Sequence, residues 1–427
     1  MNFRTWLAQR DPQYIWQRGA ALLQRYRFSP SVAMKRIDRV VDSLADYGCA
    51  PTFPTPGAVI ESHPDYFRRL QDRNVEFAVH SYRHIDLKSC SPHEARAQLV
   101  QAAETFERHG LEVHGFRCPY LSWSDALLDV LPDGLFGYSS NQAVRWDVIT
   151  ESITQRQAVN FGIVENLYVP KNANDKACVP WMIGNIVEIP VCVPDDIQLH
   201  DGLELGVEAI IKVWTRILNR THQRGELYNQ MFHPELVDID EQIFPSILVS
   251  AKSLTPAVWI TRLRDISAWW HEKNAFRVEA TPTGTGLQLD FVCSPRATIL
   301  SRGLDLPGEP WTDGYLRLDE RRVQLPAGIR PFIGIPAAAP AWVAPFLQAQ
   351  GYIVDLTETA SACSLYLDPR TLEGIYGEVA LIARIEKSGV PLIRYWRWPD
   401  GYRSALCVSG DLDALTLWDY ASRIVTR

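Results

Sequence analysis

The chain has no C-x-x-C pair, no run of eighteen apolar residues and no long cluster of lysine and arginine. Each absence excludes a class of protein. The eight cysteines (49, 90, 118, 178, 192, 293, 363 and 407) are scattered, which fits reduced thiols better than a disulfide framework. Without a long apolar run, no membrane-spanning helix is expected. A formal charge of −7 with no basic cluster argues against a nucleic-acid partner. Met1 to Tyr14 holds no apolar signal-peptide core, so the expected location is cytoplasmic. Between 331 and 396 there is neither a phosphate-binding loop nor a dinucleotide fingerprint.

What the chain does contain is ordinary for a soluble globular protein: 46% hydrophobic and 22% charged residues. Its 427 residues predict two or three domains. Fourteen Trp and sixteen Tyr supply aromatic faces for core packing, and such faces also line carbohydrate sites.

Strand and helix patterns alternate every 20 to 30 residues through the first two thirds of the chain, the mark of a parallel α/β unit. A polar-aromatic helical extension is expected over 1–29. Ile37, Val40, Val41 and Leu44 recur at helical spacing. Ser91-Pro92-His93-Glu94 reads as a capping box with Pro at the first helical position. Further helices are expected over Leu203–Arg220 and Pro256–Lys273. From 273 to 328 the texture turns to Pro, Gly and period-two alternation, predicting a small β unit. Residues 329–396 predict a βαβ accessory domain that includes a strand at Leu392–Tyr395.

Chemistry-bearing residues cluster after predicted strands, where α/β proteins keep their sites. His80-Ser81-Tyr82-Arg83-His84 follows Val75–Val79, and two imidazoles four residues apart face one ion if the backbone curls there. Arg117-Cys118-Pro119-Tyr120 follows Val113–Phe116. Asp195 and Asp196 follow Val187–Val191, and His233 follows Leu227–Phe232. The tail run Ser404–Ser409 ends in Gly410-Asp411-Leu412-Asp413. Taken singly, each has a plainer reading: His233 a loop histidine, Arg117 a surface cation, Asp195 and Asp196 helix caps, Cys118 a small buried residue. His63, His200 and His222 fit no motif and read as surface residues.

Together, HSYRH at 80–84, RCPY at 117–120, EIPVCVPDD at 188–196 and MFHP at 231–234 resemble the polysaccharide deacetylase family, the NodB-homology or carbohydrate esterase family 4 domain. The family's Asp motif precedes its H-[ST]-x-x-H motif, whereas here D-x-D stands at the C-terminus. The resemblance therefore implies an α/β fold, a distorted (β/α)7-type barrel, circularly permuted, with residues 30–272 forming its main part and 397–427 supplying its first strand. Alternatives are a plain turn at 410–413, or a tail strand donated to a neighbour in a swapped homodimer.

The resemblance further implies that Asp413, His80 and His84 hold one divalent metal, zinc first, with cobalt, nickel, manganese or iron as alternatives. Asp411 would be the general base, Arg117 its partner, His233 the general acid, and the backbone near Tyr120 an oxyanion donor. Asp195 or Asp196 would support His233 or Arg117. The expected activity is metal-dependent hydrolysis of a non-peptide amide, most often removal of acetate from an N-acetylated sugar or glycan precursor. The alternatives are a small ureide or cyclic imide as substrate, or a non-catalytic carbohydrate-binding protein.

Overall fold

The computed structural model describes residues 28–234 and 240–422; the helical extension expected over 1–29 lies, but for its last two residues, outside them. The strands that position the site are β1 (Thr52–Thr55), β2 (Glu76–Val79), β3 (Gly115–Phe116), β4 (Tyr138–Ser139), β5 (Ile186–Glu188), β6 (Val191–Val193), β7 (Leu227–Phe232) and β8 (Val258–Ile260). From the accessory region and tail come β9 (Ala297–Arg302), β10 (Leu392–Pro399) and β11 (Ser404–Gly410). The helices used below are α1 (Ser31–Asp46), α2 (Pro92–Arg108), α3 (Gln155–Tyr168), α4 (Val207–Arg224), α5 (Asp240–Ser253) and α6 (Leu263–Asn274).

The central sheet runs β6-β7-β11-β1-β2-β3-β4-β5, and every pairing along this path is parallel. β11 owes its place to its sequence. Ala405, Leu406, Cys407 and Val408 are buried on both faces, as a strand inside a helix-covered parallel sheet must be. Leu406 and Val408 alone account for about 3–6 kcal/mol of hydrophobic burial. Six residues of β11 register against β7, from Leu227↔Ala405 to Phe232↔Gly410, and Thr52 of β1 meets Ser409 on the other edge.

β5 and β6 are consecutive in the chain yet lie on opposite flanks of this order, β5 on β4 and β6 on β7. Ile189-Pro190 joins them. A proline has no N–H for a ladder, so the hydrogen-bonded sheet opens there. The result is a distorted, open half-barrel whose two flanks are tied by two covalent crossings, Ile189-Pro190 and, beside it, Ser140–Gln142, which leads from β4 to Ala143–Arg145 against β6.

The helices follow the sequence closely where it carries caps. Ser91 and Glu94 form the reciprocal capping box of α2, the Ser91 N–H donating to Glu94 Oε2 at 2.9 Å. Ile37, Val40, Val41 and Leu44 of α1 are buried. α4 starts four residues later than expected and ends on Gly225, whose φ of +65° is the left-handed cap glycine provides. The expected helix over Pro256–Lys273 is instead β8 followed by α6. Val258-Trp259-Ile260 is β-branched and aromatic, and it pairs with Ser404–Leu406.

The accessory region contains antiparallel sheets and one three-stranded parallel sheet, with Ile333–Ile335 between Val354–Leu356 and Leu365–Tyr366. The strand expected at Leu392–Tyr395 within the parallel unit is β10, which pairs antiparallel with β9. Its alternation of large side chains carries Trp396 and Trp398 toward the barrel. Trp398 Nε1 donates to Gly225 O at 2.9 Å, and Trp269 Nε1 of α6 donates to Arg397 O at 2.7 Å. β10 then turns directly into β11. Among the described residues, no helix is long and apolar enough to cross a membrane.

His222, expected at the surface, is buried beneath β11, with Nδ1 2.9 Å from Ser404 Oγ. Beside it, Glu226 sits at the foot of β7 away from water, and burial pushes its carboxyl up to about 7. The folded chain therefore holds this proton where an unfolded glutamate, near 4.3, has lost it. Stability should fall as pH rises from about 4 to about 7, by up to about 3 kcal/mol. Urea unfolding of Glu226→Gln should show that slope flattened; an unchanged slope would refute the assignment.

Candidate metal centre

His80 is the first residue after β2, and its N–H still donates to Thr55 O. Its ring is fully buried, and Nδ1 lies 2.9 Å from the Arg117 carbonyl. That carbonyl can only accept, so Nδ1 carries the proton and Nε2 presents a lone pair. Nε2 has no hydrogen-bond partner. The backbone after His80 does not curl into a helix. Ser81 takes φ +60°, a left-handed turn, and this brings the His84 ring to 4.9 Å from that of His80. Such a conformation in a non-glycine residue is costly and is held here by its surroundings.

The third member comes from the other end of the chain. Asp413 Oδ1 lies 3.0 Å from His84 Nε2 and 3.6 Å from His80 Nε2. Ligand atoms of His80, His84 and Asp413 all lie within 4.8 Å of one another. Two imidazole nitrogens and one carboxylate oxygen are a donor set suited to zinc and its neighbours. The partnerless Nε2 at a fully buried ring is what such an ion would satisfy, so the residues fit a divalent cation.

Asp411, also from the loop after β11, is almost buried. Arg117 Nη1 donates to its Oδ1 at 2.6 Å, and its Oδ2 lies 3.9 Å from His80 Nε2. Arg117 is itself inaccessible to solvent, and three more of its donors are used. Nε meets Ser140 O at 3.0 Å, while Nη2 meets Ser140 Oγ at 3.0 Å and Ser409 Oγ at 2.8 Å. Asn229 completes the network, accepting from Ser409 Oγ at 2.8 Å and donating to Pro190 O at 3.0 Å.

Beside this lies a second cluster of Asp195, Asp196 and His233. His233 follows β7, and Asp411 N donates to Phe232 O across the adjoining strands. Asp196 grips His233 twice, accepting from its backbone N–H at 2.7 Å and lying 2.9 Å from Nδ1. Asp195 instead accepts from Tyr168 at 2.7 Å. Burial and the neighbouring Asp196 carboxylate push the Asp195 carboxyl upward. Both aspartates also cap the following turn, through Ile197 N and Gln198 N, so the capping reading and the site-supporting reading hold together.

Tyr120 adopts φ +60° and sets its ring edge-on to His84 at 4.7 Å. The turn before it is anchored by Asn141 Oδ1, which accepts from Cys118 N at 2.6 Å. Asn141 N in turn donates to buried Glu188. The Cys118 thiol is fully buried and burial pushes its pKa far up, which excludes a nucleophile there.

Residues 31–133 match the family model for polysaccharide deacetylase. These residues belong to the polysaccharide deacetylase family. Solved structures similar to the chain include a family 4 carbohydrate esterase from Streptomyces lividans, 14% identical, covering 50% of this chain and 80% of that one with a TM-score of 0.30. The PuuE allantoinase is 16% identical over 55% of this chain and 72% of its own, with a TM-score of 0.42. The peptidoglycan deacetylase PdaC from Bacillus subtilis is 26% identical over 22% of this chain and 48% of its own, with a TM-score of 0.22.

The fold brings together His80, His84, Asp413, Asp411 and Arg117, with His233 on the adjoining strand end. Sequence reasoning missed Ser140, Ser409, Asn229, Asn141 and Tyr168. The one usable signal was polarity inside a buried strand, Asn229 in Leu227–Phe232 and Ser409 in Ser404–Gly410. Arg117→Met should cost about 3–5 kcal/mol because Asp411 is left buried without its counter-charge. Adding Asp411→Asn should restore part of that loss in urea titrations of chelator-treated protein. Strict additivity of the two losses would show that the pair is not coupled.

Proposed function

We propose that this chain is a metal-dependent amidohydrolase that removes acetate from an N-acetylated sugar or glycan precursor. The observation that supports it most is the meeting of Asp413 from the tail with His80 and His84 from the second strand end, with Asp411 and Arg117 alongside. His80, His84 and Asp413 would hold the cation, zinc being the first choice and cobalt, nickel, manganese or iron the others. When bound, the cation supplies Lewis-acid polarisation of the amide carbonyl and acidifies water in the site.

The side chains divide the remaining work. Asp411 keeps Oδ1 on Arg117, so Oδ2 is the oxygen that takes the proton from the attacking water. The backbone N–H at Tyr120 donates to the carbonyl oxygen as it gains negative charge. His233, oriented at Nδ1 by Asp196, gives a proton from Nε2 to the departing amine. Acetate and a free amino sugar are the products.

In this reading the barrel is circularly permuted. It comprises residues 30–272 and 397–427, and the units over 273–328 and 329–396 are inserted ahead of its first strand. The closeness of the first and last described segments supports this: the Phe28 and Trp418 rings lie 6.1 Å apart, tilted at 54°, and His63 pairs with Asp419 at 3.7 Å.

Asp411→Ala should lower acetate release from N-acetylated amino sugars by at least about 100-fold, while bound metal and sugar affinity stay near wild type. A wild type that binds sugar but releases no acetate, with Asp411→Ala unchanged from it, would favour the binding-protein reading.

A further inference from the structure

All eight cysteines are thiols, and the fold brings two of them into contact. Cys178 Sγ lies 3.4 Å from Cys192 Sγ, and both side chains are buried. Backbone pairing holds each sulfur where it is. Cys178 clamps the start of β7: its N–H donates to Glu226 Oε2 at 3.2 Å, and its carbonyl accepts from Leu227 N at 2.8 Å. Cys192 is the middle residue of β6, level with Gln230 of β7 on one edge and with Val144 on the other. Its Sγ lies 3.5 Å from Leu227 O, so both thiols stand at the foot of β7.

The sulfurs of a disulfide lie about 2.05 Å apart, so closure asks for an approach of roughly 1.4 Å, which small side-chain rotations supply. The loop that closure makes, 178–192, spans the open side of the barrel. It holds the strand Trp181–Ile183, its antiparallel partner β5, and the Ile189-Pro190 crossing to β6. Three residues beyond Cys192 stands Asp195, and next to it Asp196, the partner of His233.

We propose that Cys178 and Cys192 form a cross-linking site, at which an oxidant joins them in a disulfide that closes the barrel's open side and stiffens the strand leading to Asp195 and Asp196. The bridge is independent of the deacetylase reading. A diazenedicarboxamide (diamide) serves as the oxidant. One thiolate sulfur adds to its N=N bond, and the second thiolate attacks that sulfur. The S–S bond forms as the S–N bond breaks, and the reagent leaves as its hydrazine, which holds the two protons and two electrons that the thiols give up. Burial pushes the Cys178 thiol well up, so the bridge forms slowly, as the loop opens locally.

In the test, the full chain is held with diamide for several hours and digested with trypsin without reduction. No lysine or arginine lies between Lys176 and Lys212, so both cysteines fall in one peptide, 177–212. After oxidation that peptide should be two hydrogen atoms lighter and should refuse alkylation by iodoacetamide. The melting temperature should rise by roughly 3–6 °C, as for a disulfide closing a loop of this length, and dithiothreitol should reverse both changes. Cys178→Ala and Cys192→Ala should each abolish the mass change and the rise. A wild-type peptide still alkylated at both positions would overturn the proposal, as would either cysteine found linked to a different partner. A bridge that forms and leaves the melting temperature level or lower would overturn the stiffening.

Discussion

β11 pairs with β7 on one edge and with β1 and β8 on the other, and this seating sets the geometry of the site. The strand is apolar on both faces, so it is stable only inside a covered sheet. Its register against β7 fixes where its polar end emerges: with Phe232 opposite Gly410, Asp411 stands beside His233 and Asp413 reaches the two histidines of β2. A slip of one residue would turn Asp411 and Asp413 to the other face. The Arg117–Asp411 pair and the hydroxyls of Ser409 and Ser140 add a polar lock at the same level. Because every member of that network is buried and engaged, it favours one register over its neighbours.

The accessory sheets take part in this seating. β10 carries Trp396 and Trp398 against Gly225 in the α4–β7 turn, and Trp396 Nε1 donates to Tyr402 O where the chain reverses into β11. The last rigid element before the tail strand is thus anchored to the strand's own neighbour. This lowers the entropy lost when a strand joins a sheet whose other members lie hundreds of residues away. The same arrangement explains how a strand from the tail comes to lie in the middle of the sheet. Among the described residues, Phe28 before α1 and Trp418 after β11 lie 6.1 Å apart, so the segments flanking these elements are neighbours in space.

Much of this was legible in the sequence because it rests on short-range chemistry. The α2 capping box, the apolar spacing of α1 and the strand-then-ligand pattern at HSYRH, RCPY and MFHP are local, and they appear where expected. The tail D-x-D was legible for the same reason. β8 was hidden because Val258-Trp259-Ile260 is too short to tell a strand from a helix by periodicity, and only its pairing with β11 decides. The membership of β10 was hidden because a pattern of large apolar residues does not say which sheet will receive it. Asn229, Ser140 and Asn141 were missed because their value lies in contacts across the barrel. Asp195 and Asp196 could not be separated in sequence; the fold separates them by giving one to Tyr168 and the other to His233.

The most direct test of the account is the metal content of purified protein, wild type beside Asp413→Ala and His80→Ala. The account predicts about one divalent ion per chain in the wild type and its loss in both variants, because ligands from the two ends of the sequence share one site. Metal that disappears with His80 but persists without Asp413 would contradict it, as would a wild type that binds none.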